Sequence, residues 1–82
     1  FWAPWCGPCR QLSPVIDRVA DQFAGKVKVG KVNVDENGDL AVRYDVATIP
    51  RVLLFKGSDQ PVFQHVGTIS PDELGKVIQQ HI

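Results

Sequence analysis

The chain has 82 residues, which makes one small domain at the usual ~100–200 residues per domain. Nine Lys and Arg residues balance nine Asp and Glu residues, and the lack of a basic excess argues against a nucleic-acid binder or a protein held at an anionic membrane. The apolar content of 44% and the charged content of 22% exclude disorder. No apolar run approaches the ~20 residues of a membrane span. Two cysteines are too few for a secreted domain that depends on disulfides for its stability.

The first predicted element is an amphipathic helix over residues 12–23. Its apolar residues recur at the i, i+3, i+4, i+7 spacing of one helical face; they are Leu12, Val15, Ile16, Val19, Ala20 and Phe23. We expect the helix to begin near Cys6, with Pro8 in its first turn, where a missing N–H costs nothing. Pro14 should kink it, and Gly25 should mark its end.

Three strands are predicted downstream. Residues 27–34 carry valines at both parities, which favours a strand that is covered on both faces. A short helix is expected over about residues 39–44. Residues 51–56 and 62–66 are separated by only a short turn, which predicts an antiparallel hairpin.

The last predicted element is a helix that begins at Ser70. Ser70 is at the N-cap position, Pro71 follows at N1 and Glu73 at N3, which is the pattern of a capping box. Leu74, Val77, Ile78 and Ile82 form the apolar face. Helices and strands therefore alternate along a single domain, residues 1–82, and a layered α/β class is predicted.

The chemistry lies in Trp5-Cys6-Gly7-Pro8-Cys9 at the start of the first helix. Two thiols at i and i+3 share one helical face, close enough to form a small disulfide ring. Cys6 sits where unpaired N–H groups and the positive end of the helix dipole favour a thiolate, which is the nucleophilic form. Cys6 is therefore expected to attack a partner's disulfide, and Cys9 to resolve the mixed disulfide.

Two alternatives for the cysteines are a zinc site and an inert structural pair. A zinc site needs four ligands. Only His65 and His81 are available as nitrogen donors, and their positions match no ligand spacing. No metal site is therefore predicted, redox chemistry is favoured, and each histidine is expected to have a surface or edge role.

Residues 1–9, Phe-Trp-Ala-Pro-Trp-Cys-Gly-Pro-Cys, resemble the active-site signature of the thioredoxin family. The resemblance extends along the whole chain. Its further landmarks are Pro14, Lys31-Val32-Asn33-Val34-Asp35, Thr48-Ile49-Pro50, Phe55-Lys56-Gly57 and Val66-Gly67.

The resemblance implies a role for each matching position. Cys6 is the attacking and Cys9 the resolving cysteine. Pro50 is expected to be cis, so that the Ile49 backbone lies beside the disulfide and holds an extended substrate segment. The implied apolar docking surface consists of Trp5, Gly7, Pro8, Ile49, Pro50 and Gly67, and the implied structural support consists of Trp2, Pro14 and Lys31. For Trp2, simple core filling is an equal alternative.

The chain departs from the family pattern at its beginning. The family fold has a strand, a helix and most of a central strand before this point, so the expected fold is thioredoxin-like, truncated at the N-terminus, with three remaining strands and flanking helices. The family's buried Asp has no counterpart here, although its usual neighbour Lys31 is present. Three arrangements would give the remaining strands the backbone partners that the missing central strand supplies in the family. Residues 27–34 and 51–56 pair with each other antiparallel, a second copy exchanges elements through the exposed edges, or an upstream segment fills the gap.

A smaller departure is Arg51, where the family commonly has Thr. Its charge favours either the Cys6 thiolate or acidic substrates, or the side chain faces outward without a role.

The predicted function is reduction of protein disulfides, because Gly-Pro between the cysteines is similar to the reducing members of the family. No cofactor is expected beyond the Cys6–Cys9 pair itself. The implied partners are disulfide-containing proteins and a thioredoxin-reductase-type recycling enzyme, with no nucleic acid and no membrane, and the predicted compartment is the cytoplasm. The alternative is a non-catalytic binding module or subunit weakened by the truncation.

Overall fold

Helix α1 spans Gly7–Gln22 in a computed structural model that describes residues 1–82. Cys6 is its N-cap, with extended backbone, and its Sγ accepts the N–H of Cys9. The helix continues through Pro14, whose missing N–H leaves one carbonyl of the preceding turn without its intrahelical partner. The chain leaves the helix at Phe23, and Gly25 takes a φ of 81° that glycine adopts without strain. Both predicted ends of the helix are confirmed.

The predicted hairpin is formed by strands β1, Arg51–Phe55, and β2, Pro61–Val66. The strands pair antiparallel, with Val52 opposite His65 and an irregularity after Leu54. Helix α3, Pro71–His81, follows with Ser70 as its N-cap. The Ser70 hydroxyl accepts the N–H of Glu73 at 3.1 Å, so the predicted helix start is confirmed.

The core lies between the two long helices and one face of the hairpin. Leu12, Val19 and Phe23 face Leu74 and Ile78 across the α1–α3 contact, and all five are buried. The alternate residues Val52, Leu54 and Phe63 of the hairpin pack on this cluster. Alternate residues of the strands and residues three or four apart in the helices therefore contribute side chains to the same core.

A short helix, α2, spans Gly38–Arg43, one residue earlier than predicted. Tyr44 ends it, and the Tyr44 ring packs edge-on against Phe55 and at 6.3 Å from Phe1, which covers the face of β1 opposite the main core. Val42 of this helix is 82% exposed.

The prediction of a strand over residues 27–34 is wrong. The sheet has two strands, not three, and this segment contributes a single parallel bridge, between Trp2 and Asn33. A strand needs several successive backbone pairs with a neighbour, and this segment pairs only with Trp2, through Val32 and Val34.

Residues 27–34 and β1 also do not close up on each other, because Phe1 and Trp2 lie between them. Trp2 donates to the carbonyl of Val32 and accepts from the N–H of Val34, both at 2.9 Å. On the other side, Phe1 accepts from Arg51 N–H at 3.2 Å and donates its ammonium group to the Arg51 carbonyl at 2.8 Å. Two residues therefore hold the position of a central strand, parallel to one neighbour and antiparallel to the other. No helix of the fold has the length and apolar character needed to cross a membrane.

Candidate active site

The two cysteines lie at the N-terminus of α1, as predicted, and form a disulfide with Cα atoms 5.2 Å apart. The backbone N–H of Cys9 points at Cys6 Sγ at 3.2 Å. This N–H is one of those that the first turn of a helix leaves without a carbonyl partner. The sulfur that would carry negative charge in the reduced protein therefore already has a hydrogen-bond donor and the positive end of the α1 dipole.

Apolar groups surround the disulfide. Cys6 is 6% exposed and Cys9 3%, and they form a small cluster with Ala3, which is fully buried. Trp2 packs against this cluster. The rim is open, because a Cβ built on Gly7 meets no atom within 4 Å.

A loop from another part of the chain approaches the disulfide. The Ile49–Pro50 peptide bond is cis, as predicted, and the Ile49 carbonyl oxygen lies 3.9 Å from Cys6 Sγ. The Ile49 N–H and C=O make no backbone hydrogen bond. Gly67 donates its N–H to the Pro50 carbonyl at 2.9 Å, and its φ of 92° is one that glycine adopts readily. The structure thus brings Ile49, Pro50 and Gly67 together with the cysteines from positions 40 or more residues away in sequence.

Trp5 projects from the rim of the site. Its side chain is 68% exposed, yet its indole Nε1 donates to the Asp35 carboxylate, at 2.9 Å to Oδ2 and 3.3 Å to Oδ1. Sequence reasoning included Asp35 only in a landmark of the family resemblance and gave it no role at the site. Its only sequence signal is Asn33, whose side chain accepts the N–H of Asp35 at 3.0 Å and thereby shapes the turn.

Lys31 lies away from the disulfide. Its ammonium group contacts Ser13 Oγ at 2.6 Å and Asp17 Oδ1 at 2.8 Å on the outer face of α1. These contacts link α1 to the segment 27–34. The resemblance gives Lys31 a buried acidic neighbour, whereas here both of its partners are on α1.

Arg51 follows the cis proline, but its hydrogen bond goes to Gln64 Oε1 at 3.4 Å rather than toward the disulfide. Its Nε is buried without a partner. Burial, and secondarily the Arg51 charge, lowers the pKa of the Phe1 ammonium group below its usual value of 8.0. The histidines lie elsewhere: the His65 ring contacts the Thr68 carbonyl, and the His81 ring contacts the Val77 carbonyl.

Comparisons with known proteins agree on one family. The family model described as Thioredoxin matches residues 1–80. Thioredoxin 1 of Nostoc sp. is 46% identical and thioredoxin of Haemophilus influenzae is 48% identical, each over all 82 residues and over 76% of its own length. Thioredoxin M4, chloroplastic, of Arabidopsis thaliana is 42% identical over the whole chain and over 42% of its own length.

Two solved structures have the same fold. Chloroplastic thioredoxin z superimposes with a TM-score of 0.87 at 31% identity, covering 98% of this chain and 72% of that one. A structure described as that of a malarial protein gives a TM-score of 0.90 at 26% identity, covering all of this chain and 91% of that one. With the Cys6–Cys9 disulfide at the start of α1 and the cis Pro50 beside it, these matches lead to one conclusion: the chain belongs to the thioredoxin family.

Proposed function

We propose that the chain reduces disulfides in partner proteins by cycling Cys6 and Cys9 between dithiol and disulfide. The observation that carries the proposal is the position of Cys6 at the N-cap of α1, where its Sγ accepts the Cys9 N–H at 3.2 Å. The same N–H and the helix dipole stabilise a Cys6 thiolate, and the thiolate is the attacking form of a cysteine.

The cycle balances in two steps. The Cys6 thiolate attacks one sulfur of the substrate disulfide, a Cys6–substrate disulfide forms, and the second substrate sulfur leaves as a thiolate. Cys9 then gives up its proton and attacks Cys6 Sγ, which forms the Cys6–Cys9 disulfide and releases the first substrate sulfur. Two electrons pass from the Cys6–Cys9 pair to the substrate, the substrate thiolates take up the Cys9 proton and one proton from solvent, and no other cofactor is needed for these steps.

The substrate segment is proposed to bind in extended form across the rim of the site. The unpaired N–H and C=O of Ile49 offer strand-like hydrogen bonds next to Cys6 Sγ. Trp5, Gly7, Pro8, Pro50 and Gly67 complete this docking surface. The exposed indole of Trp5, which Asp35 holds in place, supplies its largest apolar area.

The proposed partners are disulfide-containing proteins and a reductase of the type that recycles thioredoxins. Reduction is favoured over oxidation because Gly7-Pro8 separates the cysteines, as in the reducing members that the sequence resembles. A reducing compartment, the cytoplasm in the sequence prediction, is proposed as the place of action.

The test uses insulin as a disulfide substrate with dithiothreitol as the electron source. We expect the chain to accelerate insulin reduction and Cys6→Ser to abolish the acceleration. Cys9→Ser should instead accumulate a mixed disulfide, detected by mass spectrometry, because Cys6 still attacks but nothing resolves the product. A wild-type chain that folds and forms the Cys6–Cys9 disulfide, yet leaves the insulin rate unchanged, would overturn the proposal and favour the binding-module alternative.

A further inference from the structure

A small apolar pocket lies at the carboxyl end of helix α2, in the segment that leads to Ile49. Its volume of about 220 Å³ is below the ~300–1,000 Å³ of sites for small molecules, so the pocket has room for a single side chain. Four apolar residues and one acidic residue line it: Ala41, Val42, Val46, Ala47 and Asp45.

Local hydrogen bonds give this pocket its shape. The N–H of Asp45 donates to the Val42 carbonyl at 3.1 Å, and the N–H of Val46 donates to the Ala41 carbonyl at 2.8 Å. This pair of bonds is the Schellman motif that ends many helices, and the motif folds the chain back over the last helical turn. The pocket therefore depends on contacts within residues 41–46.

Asp45 holds the position of the motif at which glycine is most common. Its φ of 55° is left-handed, and aspartate is one of the few other residues that adopt this conformation. The turn itself therefore does not call for a carboxylate. The Asp45 side chain is exposed and makes no hydrogen bond or ion pair, because the nearby Arg43 is paired with Asp59 at 2.8 Å.

The pocket is continuous with the proposed docking surface for the substrate. Ala47, at its edge, is two residues from Ile49, so their Cα atoms are at most ~7 Å apart. Residues 47–49 make no backbone–backbone hydrogen bond, and Ala47 and Thr48 are exposed. A substrate segment that is extended at Ile49 advances ~3.3 Å per residue. A residue roughly two to four positions from the substrate cysteine therefore lies alongside Ala47 and Asp45.

The charge on this side of the site is negative. Arg43 is the only basic residue between positions 32 and 50, and Asp59 already neutralises it. The same stretch holds four carboxylates: Asp35, Glu36, Asp39 and Asp45. A cationic group on the substrate is complementary to this field, whereas an acidic group is repelled by it.

We propose that the pocket receives a lysine or arginine side chain of the substrate protein, located two to four residues from the cysteine that Cys6 attacks. The methylene groups of that side chain pack on Val42, Val46 and Ala47, and its cationic end pairs with the Asp45 carboxylate. This inference rests on the proposed reductase function and names its substrate class: disulfides with a basic residue close to one of the two cysteines.

The test uses synthetic peptide disulfides with dithiothreitol as the electron source. Each substrate is a disulfide-linked dimer of a heptapeptide, acetylated and amidated, with a central cysteine, alanines around it and the test residue at both ends. The kcat/KM of the chain for the lysine peptide should be about threefold to fivefold that for the glutamine peptide, as for an exposed ion pair. A peptide with diaminopropionate, which has the same charge on a shorter stem, should lose most of this advantage.

Asp45→Asn and Asp39→Asn are matched variants. Each removes one unpaired carboxylate from the same segment, but only Asp45 lines the pocket. Asparagine also adopts left-handed φ, so Asp45→Asn should keep its fold, as circular dichroism would verify. The ratio of the lysine to the glutamine rate should fall to about one in Asp45→Asn, because the ion pair is lost, and should stay near its original value in Asp39→Asn.

A binding measurement tests the pocket without the redox reaction. The lysine heptapeptide, with serine in place of its cysteine, is added to the oxidised chain and followed by NMR. The amide resonances of Val46 and Ala47 should shift in the original chain and in Asp39→Asn, but not in Asp45→Asn.

Three results would overturn the proposal: equal rates for the lysine and glutamine peptides, equal rates for the lysine and diaminopropionate peptides, or an equal loss in the two variants. The last two would assign the preference to the general field of the carboxylates and not to the pocket. If the original chain reduces none of the peptides, the proposed function fails, and the NMR titration alone then decides whether the pocket binds a basic side chain.

Discussion

Truncating Phe23 tests the claim that the α1–α3 contact holds the site in place. Phe23 is 1% exposed and packs in the cluster with Val19, Leu74 and Ile78. Its environment is therefore closed, and Phe23→Ala should cost about 3–5 kcal/mol, the range for a buried Phe. At ~0.05–0.15 kcal/mol per residue, a chain of this size has about 4–12 kcal/mol of stability in total, so the loss is a large share of it.

Urea unfolding of the oxidised chain measures this loss. Circular dichroism follows the helices, while Trp2 and Trp5 fluorescence follows the disulfide end of α1, so coincident transitions would show that the core and the site unfold together. Val42→Ala is the matched control, because Val42 is 82% exposed and its truncation should change stability by no more than about 0.5 kcal/mol. A Phe23→Ala loss below about 1 kcal/mol, or one equal to that of Val42→Ala, would refute the reasoning.

Three further predictions concern the ends of elements and the rim of the site. Ser70→Ala removes the acceptor of the Glu73 N–H and should cost about 1 kcal/mol in urea unfolding; an unchanged midpoint would contradict the cap. The pKa of the Phe1 ammonium group is lowered in the folded chain, so the unfolded state binds more protons between that lowered pKa and 8.0. The free energy of unfolding should therefore rise with pH across this interval. Acetylation of the amino end should abolish the rise. Asp35→Ala removes the acceptor of the Trp5 indole, so the Trp5 indole N–H resonance should shift and exchange faster with water, whereas an unaltered resonance would show that the contact does not hold the ring.

Helix spacing, helix caps and turns could be predicted from the sequence because each depends on residues that are close together in the chain. The run of apolar residues at helical spacing marks α1, and the turn after the helix needs only a residue at position 25 that tolerates positive φ. Ser70-Pro71-x-Glu73 caps α3 with contacts inside one turn. The hairpin follows from two apolar runs joined by a short polar turn.

The error over residues 27–34 shows where local reasoning stops. Their valines have the pattern of a strand, but a strand depends on the backbone groups of its neighbours, and this segment pairs only with Trp2. Sequence reasoning also gave Asp35 no role, because the hydrogen bond to Trp5 joins residues 30 positions apart.

The sequence alone determined the family chemistry: two cysteines at i and i+3 share a helical face, and the start of a helix favours a thiolate whatever surrounds it. Only the tertiary structure decided what stands around that pair. It placed the Ile49 carbonyl 3.9 Å from Cys6 Sγ and joined the Trp5 indole to the Asp35 carboxylate. The physical reason is that these contacts join segments distant in sequence, and their geometry follows from how the helices and the hairpin pack.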